Sequence, residues 1–577
     1  MRTHLARFGW ACLLTASGGL APAHAASSEA ADNVILMVPD GMSQSVATLA
    51  RLVKEEPLAL DRMSTGLMST HAANTLITGS AAAGTAMATG YRSSTPHIGM
   101  APRKEDALKT HYSLPEDTKW DEFAYRPLAT VLEGAQLQDK ATGLVSTSRL
   151  GHATPASFAA HIDDRDEYNR IFKHLAYQGL DVALGGGKRH MLPEDEGGAR
   201  EDGHNLINVL EERGYQLVES EAELKDVEPG DRVWGVFADG SLMPSHDRRF
   251  LRKNDGYEGH EQAKREPSLA AMTEQAIDIL DEEEDGFFLM VEGSQVDWAG
   301  HDQDTGWHLQ DFLAFERAVQ VALEYAMEDE QTQLVVAPDH NTGGLTLGNE
   351  TFGKGYTNTS GTDVLDAVER MEVSSGFLAE QIDRSGQDVQ EAVAEYWGIH
   401  LSDSDLAKID KRREENGLAS AIVQTVNEEH TVFGWNTNGH TGEDVPYWSY
   451  GPSAPEGQIQ VNEIGRHIAD ALGLELALHD PEGINQRLLA NLEEHIQDVS
   501  VDEDVVEVNG TWQLRPGTDL LVREQEDRCH LDGITVYSPN ANGGEGATYV
   551  PRQAIDIIKN PASWDRHCAS GSGNERD

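Results

Sequence analysis

Short, unbroken apolar runs recur along the chain, and each closes on polar or charged residues. The first is Asn33-Val34-Ile35-Leu36-Met37-Val38-Pro39-Asp40-Gly41. Ala141 to Leu144 leads through Val145-Ser146-Thr147 to His152-Ala153-Thr154-Pro155, Phe287 to Val291 ends at Glu292, and Gln333 to Pro338 ends at Asp339-His340. Runs without polar alternation read as strands buried on both faces of a parallel sheet. Open α/β sheets gather their sites at the carboxyl ends of such strands, where these acids and histidines fall. Between the runs the apolar spacing becomes helical: Pro127 to Gln136 with Leu128, Val131 and Leu132, Ser268 to Leu280 behind a capping serine, and His308 to Met327 with Leu309, Phe312, Leu313, Val319 and Leu323. Strands alternating with helices predict an α/β fold, doubly wound, with a mostly parallel central sheet and helices on both faces.

Three segments interrupt this alternation. Residues 102–125 are polar and contain proline, which predicts a surface excursion. Residues 200–267 hold a helix pattern near Leu206 to Arg213, strand-like Val233 to Phe237, and a charged loop. Leu345 to Glu429 is too long for a structureless loop; helix patterns at Val389 to Trp397 and Ser402 to Ile409 predict an inserted subdomain, whose Tyr396 and Trp397 either pack internally or meet another subunit. Asn462 to Leu472 is an amphipathic helix. From residue 480 a C-terminal extension follows, with a helix around Leu488 to His495 and a hairpin at Asn509-Gly510.

Composition narrows the class. With 577 residues and 39% hydrophobic content the chain can bury a large core, yet its formal net charge is -53. Such a surface excludes nucleic acid or anionic membrane as partners through a general basic face. It suits a saline medium better than dedicated calcium sites, because runs such as Asp281-Glu282-Glu283-Glu284-Asp285 lack the alternating ligands of a calcium loop. Met1 to Ala25 reads as a signal peptide: Arg2 and Arg7, an apolar stretch from Phe8 to Leu20, then Ala23-His24-Ala25. The stretch is too short to span a bilayer, so the expectation is a periplasmic or secreted protein without a membrane anchor. Cys12 leaves with the signal. Cys529 and Cys568 remain, and an oxidising compartment favours a disulfide between them over two free thiols.

The stretch Thr78-Gly79-Ser80-Ala81-Ala82-Ala83-Gly84 sets a serine at the start of a helix of very small residues. Unpaired N–H groups and the positive dipole end favour an anion there, although a serine N-cap on a tightly packed helix reads the same way. Asp297 and His301 in Glu292-Gly293-Ser294-Gln295-Val296-Asp297-Trp298-Ala299-Gly300-His301 share one helical face and could grip one metal. With Asp40, Glu292, Asp339, His340, His440 and the Thr154 hydroxyl they offer carboxylate and imidazole ligands for zinc and an oxygen-rich place for magnesium. Burying so many ionisable groups at a sheet edge is costly without cations.

At these residues the chain resembles the alkaline phosphatase family, from Asn33 to at least Leu474. The matching landmarks, in order, are Val38-Pro39-Asp40-Gly41-Met42, Thr78-Gly79-Ser80-Ala81-Ala82, His152-Ala153-Thr154-Pro155, His161 to Arg165, Glu292 to His301, Asp339-His340 and His440-Thr441-Gly442. The resemblance implies hydrolysis of phosphate monoesters through a phosphoserine, with two Zn2+ and one Mg2+. It implies Asp297, His301 and His440 as ligands of the first zinc, and Asp40, Asp339 and His340 as those of the second. Magnesium would take Asp40, Thr154 and Glu292. Ser80 is the implied nucleophile and Arg165 the phosphate clamp. His152 and Trp298 stand where some members carry Asp and Lys, as in marine, halophilic variants, and Gly79 replaces an acid found beside the nucleophile in some relatives. The insert from Leu345 to Glu429 looks like the variable region that serves the family's dimer contact, which implies a homodimer.

Two other functions fit parts of the pattern. A sulfatase or diesterase of the same superfamily conflicts with Ser80 followed by Ala81-Ala82-Ala83, and with Thr154 and Glu292 standing together with Arg165. A non-catalytic zinc-binding or phosphate-binding protein would need the metals without the nucleophile.

Overall fold

The computed structural model describes residues 31–104, 119–349, 360–502, 504–524 and 526–568. The signal-peptide reading, Cys12, most of the 102–125 excursion and part of the 345–429 insert therefore lie outside the described residues. The strands that build or border the site are β1 (Asn33–Val38), β2 (Ser64–Ser69), β3 (Ala141–Arg149), β4 (Val182–Gly186), β5 (Gln216–Val218), β6 (Val233–Val236), β7 (Phe287–Glu292), β8 (Thr332–Val336), β9 (Asn341–Thr342), β10 (His440–Thr441), β11 (Val445–Tyr450) and β12 (Gln458–Gln460).

Ten of these form one sheet in the order β12-β2-β11-β8-β1-β7-β3-β4-β6-β5. From β8 to β5 the neighbours run parallel, and β11 enters antiparallel to both β8 and β2. The unalternating strands have the expected cause: in β1, Ile35 and Met37 join the core on one face, while Val34, Leu36 and Val38 join the core on the other. Helix Leu269–Leu280, capped by Ser268, and the long helix Thr305–Glu328 cover the first face. Helices Ser80–Thr89 and Val461–Ala471 cover the second.

The small-residue helix has little apolar bulk, yet all ten of its residues are buried. A Cβ on Gly465 would meet the Met87 carbonyl oxygen at 2.6 Å and the Gly90 nitrogen at 2.7 Å. Two backbones thus approach where neither chain carries bulk, and this seats Ser80 against the sheet edge.

Away from the sheet the sequence pattern misled in two places, the charged loop and the helix after residue 488, and one open alternative was decided. The charged loop before Pro267 contains helices Ser245–Lys253 and His260–Arg265, whose Leu251 and Ala263 join a separate core with Met371, Phe377, Trp397 and Val426. Tyr396 and Trp397 are internal: the indole donates to the Val373 carbonyl at 2.9 Å, and the Tyr396 hydroxyl to that of Tyr257 at 3.2 Å. The helix foreseen around Leu488 to His495 instead ends at Leu488, because Ala490 and Asn491 pair as a strand with Val550 and Tyr549. Sheet pairing there overrides a helical apolar spacing. The Asn509-Gly510 hairpin belongs to a five-stranded antiparallel sheet at the C-terminal end. Cys529 and Cys568 are joined in a disulfide beside Trp512 and Trp564.

Candidate active site

Ser80 is the first residue of its helix, with Gly79 at the cap position, so its hydroxyl is not consumed as an N-cap. Its Oγ lies 3.1 Å from Nε2 of His340. That nitrogen is also 3.1 Å from Oδ2 of Asp339 and 3.6 Å from Oδ1 of Asp40. Asp40 follows β1 and Asp339-His340 follows β8, so the adjacency of the two strands brings these groups together. Gly41, at φ 70°, makes the turn after β1; a Cβ there would strike the Asp297 Cα at 2.7 Å.

Asp297 and His301 sit in helix Gln295–His301 just after β7, with Nε2 of His301 3.4 Å from Oδ2 of Asp297. His440, on β10, joins them through the β9–β10 ribbon, its Nε2 3.7 Å from Oδ1 of Asp297 and 3.3 Å from Nε2 of His301. The backbone fixes the tautomers. Nδ1 of His301 donates to the Asn438 carbonyl and Nδ1 of His440 to the Thr78 carbonyl, so in the neutral rings both Nε2 lone pairs face the cluster. Thr342 does the same for His340: its hydroxyl donates to Asp297 and accepts from Nδ1 of His340, leaving Nε2 turned toward Ser80.

A third group gathers around Glu292 at the end of β7. One oxygen accepts from Ser146 at 2.5 Å and from Ser148 at 3.2 Å; the other, Oε1, is buried without a partner. The same holds for both carboxylate oxygens of Asp40, the Thr154 hydroxyl and Nδ1 of His152. Nη2 of Arg165 donates to Nε2 of His152 at 3.1 Å, and the Trp298 ring meets His152 edge-on at 5.6 Å. Arg165 is half-buried and held by its backbone N–H on the Pro96 carbonyl at 3.1 Å.

The electrostatics match this crowding. Burial, then the Asp339 and Asp297 carboxylates, push Asp40 well above the usual carboxylate range. Burial also raises Glu292 despite its hydrogen bonds from serines. Burial lowers His152 to about 3, with Arg165 and Arg149 adding to the effect, and burial beside His340 lowers His440 to about 4. Burial opposes charge on His301 too, but its hydrogen bond with Asp297 carries it up to about 9.

The donors thus fall into three sets, Asp297 with His301 and His440, Asp40 with Asp339 and His340, and Asp40 with His152 and Glu292, each with ligand atoms within 4.8 Å of one another. Buried oxygens that lack hydrogen-bond donors, four converging carboxylates and imidazoles turned inward fit divalent cations, which would balance the charge and complete the coordination. Of the residues expected from the sequence, Asp40, Glu292, Asp297, His301, Asp339, His340 and His440 come together in these sets, Ser80 approaches His340, Arg165 and Trp298 contact His152, and Thr154 is buried. Three contributions were not foreseen: the His152 ring as a donor, Thr342 as the link between Asp297 and His340, and Ser146, Ser148 and Ser294 around Glu292. The signal for the serines lay in the polar Ser146-Thr147-Ser148 closing an otherwise apolar strand.

The fold and this constellation define a phosphoric monoester hydrolase. The family model described as alkaline phosphatase matches residues 31–474, and the chain belongs to that family. Alkaline phosphatase 3 of Bacillus subtilis is 33% identical over 473 residues, which cover 78% of this chain and 90% of that one. The repressible alkaline phosphatase of Saccharomyces cerevisiae is 29% identical over 510 residues, 77% of this chain and 82% of its own. Among solved structures, the Thermus thermophilus alkaline phosphatase superposes with a TM-score of 0.66 at 26% identity, covering 81% of this chain and 96% of that one. The cold-active enzyme of a Shewanella species gives 0.62 at 27% identity, covering 76% of this chain and 99% of that one.

Proposed function

We propose that this chain is an exported alkaline phosphatase that transfers the phosphoryl group of monoesters to Ser80 and then to water. Asp297, His301 and His440 would hold one zinc, and Asp40, Asp339 and His340 a second. Asp40 and Glu292 would hold magnesium with Thr154, and His152 is within reach of the same ion. Bound there, the ions supply Lewis acidity, which stabilises an ionised hydroxyl and offsets charge on phosphoryl oxygens. The observation that carries the reading is the 3.1 Å approach of the Ser80 hydroxyl to His340, where two donor sets meet at a helix N-terminus.

The protein's own groups define the course. The first helical N–H groups at Ser80, Ala81 and Ala82 precede the hydrogen-bond ladder and favour a dianion beside the hydroxyl. Arg165 takes two phosphoryl oxygens from the His152 side. Ser80 gives up its hydroxyl proton to solvent, its oxygen forms a bond to phosphorus as the ester P–O bond breaks, and the alcohol leaves with a proton from solvent. Water then attacks phosphorus, the bond to Ser80 breaks, and inorganic phosphate departs.

Further parts of the proposal rest on sequence. The N-terminal pattern supports export, and no described helix is long and apolar enough to cross a membrane. The acidic composition supports adaptation to salt. The length of the inserted segment, by analogy with the family's variable region, supports a homodimer, which sedimentation of the purified protein tests; a monomer at micromolar concentration removes that part. Residues 345–429 and 480–577 stand as an inserted subdomain and a C-terminal extension of one catalytic domain.

The decisive assay is phosphate release from an aryl monoester at alkaline pH, before and after chelation and with zinc and magnesium restored. Metal-dependent turnover that disappears in Ser80→Ala supports the proposal. No turnover with metals bound refutes it and turns attention to diesters, sulfate esters and simple binding.

A further inference from the structure

Ser80 is buried, yet Leu76 and Ile77, four and three positions ahead of it, are 61% and 50% exposed, among the few large apolar side chains left open to solvent in the described residues. Ile77 lies on the wall of a cavity of about 1320 Å³ that reaches His440. The lining also includes Trp435, whose indole is fixed in place. Its Nε1 donates to the Thr305 hydroxyl at 3.2 Å, and its ring meets His308 edge-on at 5.5 Å. Gly343, at φ 79°, lies so close that a Cβ would come within 2.5 Å of the indole ring. Thr437, whose hydroxyl accepts from the Gly439 N–H at 3.0 Å, is also in the lining.

The cavity also has a charge. Glu428 and Glu443 line it, and no lysine or arginine does among the described lining residues. Glu428 is offset by Arg412 and Lys408 outside the lining, so the negative character of the cavity rests on Glu443, which accepts from Asn341. Arg165, which would take phosphoryl oxygens, contacts His152 of one donor set, while the cavity reaches His440 of another.

We propose that this cavity is the subsite for the alcohol portion of the substrate. It accepts an uncharged alcohol bearing an apolar ring, laid against Ile77 and Trp435, and discriminates against alcohols that carry a second anionic group. The inference rests on the proposed roles of Ser80 and Arg165, since those fix which side of the phosphoryl group faces His440. The contacts to a ring are modest in area, so the effect is selectivity among esters rather than competence for hydrolysis. A carboxylate on the substrate would meet fixed negative charge at short range, where salt screens least.

The test compares 1-naphthyl phosphate, glycerol phosphate and a glycerate monophosphate in molar NaCl, which suppresses the long-range field of the whole surface. Ile77→Ala should lower kcat/KM for the naphthyl ester about three- to tenfold and leave the glycerol ester within about twofold. Trp435→Phe is the second variant. Glu443→Gln should raise kcat/KM for the glycerate ester relative to the glycerol ester. A readout without turnover is the binding of naphthylphosphonate against methylphosphonate, followed by the tryptophan fluorescence that differs between wild type and Trp435→Phe. Equal losses on all esters, or no preference for the naphthyl ligand, would overturn the subsite. Absence of turnover on every ester in the metal-loaded wild type would instead sink the hydrolase mechanism on which it rests.

Discussion

Asn540 donates its side-chain N–H to Oδ2 of Asp163 at 3.3 Å, so the C-terminal extension touches the loop that carries Arg165 two positions further on. Asp163 also faces Arg170 at 3.6 Å. The family match ends at residue 474, so this brace comes from outside the matched region. An exposed hydrogen bond contributes about 1 kcal/mol. Asn540→Ala should therefore raise KM, and the inhibition constant of inorganic phosphate, about two- to fivefold with kcat little changed. In an Arg165→Ala background the second substitution should add nothing; additive losses would show that Asn540 acts elsewhere.

Asp40 belongs to two of the three donor sets, and neither of its buried oxygens has a hydrogen-bond partner. Asp40→Asn keeps the volume and removes the charge that both sets share. Metal content measured by atomic emission should fall by more than one ion per chain, and activity by about a thousandfold or more. Loss of a single ion with near-normal turnover would contradict the shared role.

The buried pair His161–Glu133, 3.0 Å apart, makes stability depend on pH. Burial alone would lower the His161 pKa, but the Glu133 carboxylate and hydrogen bonds to it and to the Gly99 carbonyl raise it above the ordinary 6.5. A raised folded-state value means the contribution is complete below the unfolded pKa and fades as pH climbs through the folded one. The Tm difference between wild type and His161→Gln should be widest near about pH 6 and shrink toward about pH 10. A gap that grows with pH would reverse the assignment.

The disulfide closes a 39-residue separation inside the core that holds Trp512 and Trp564. In the chain-entropy account it stabilises its own unit by about 3–4 kcal/mol. Cys529→Ser with Cys568→Ser should bring an early transition in tryptophan fluorescence during denaturation, while the central sheet unfolds at its former midpoint. A single unshifted transition would mean the bond is energetically idle.

At a net charge of -53 the surface repels a phosphate dianion, and counterions confine that repulsion to about 8–10 Å near physiological ionic strength. Activity or stability should rise as NaCl is raised from low to molar concentration. Flat profiles for both would require another reason for the acidic surface.

The sequence made the site legible because its donors follow uninterrupted apolar strands, where little else explains an acid or histidine. Asp40, Glu292 and Asp339 each stand at such an end. Elements with weaker contrast were lost. β11 mixes Pro446 with Tyr447 and Trp448, and β2 is largely open to solvent, so neither shows the pattern of a central strand. The helices Ser245–Lys253 and His260–Arg265 are highly charged and bury only a few residues against the insert, which a local reading takes for a loop. The nearness of the His152 ring to Asp40 and Glu292 was not legible, because it is set by strands far apart in sequence.

The β9–β10 ribbon pairs Asn341 and Thr342 with Thr441 and His440, a link across about a hundred positions of chain. During synthesis, Asp40 and Ser80 therefore emerge long before the partner that closes their surroundings. A nascent chain stalled before residue 440 would hold acids and a serine without the last imidazole. Chains truncated before residue 440 should therefore bind less metal and be more open to proteolysis than the full chain.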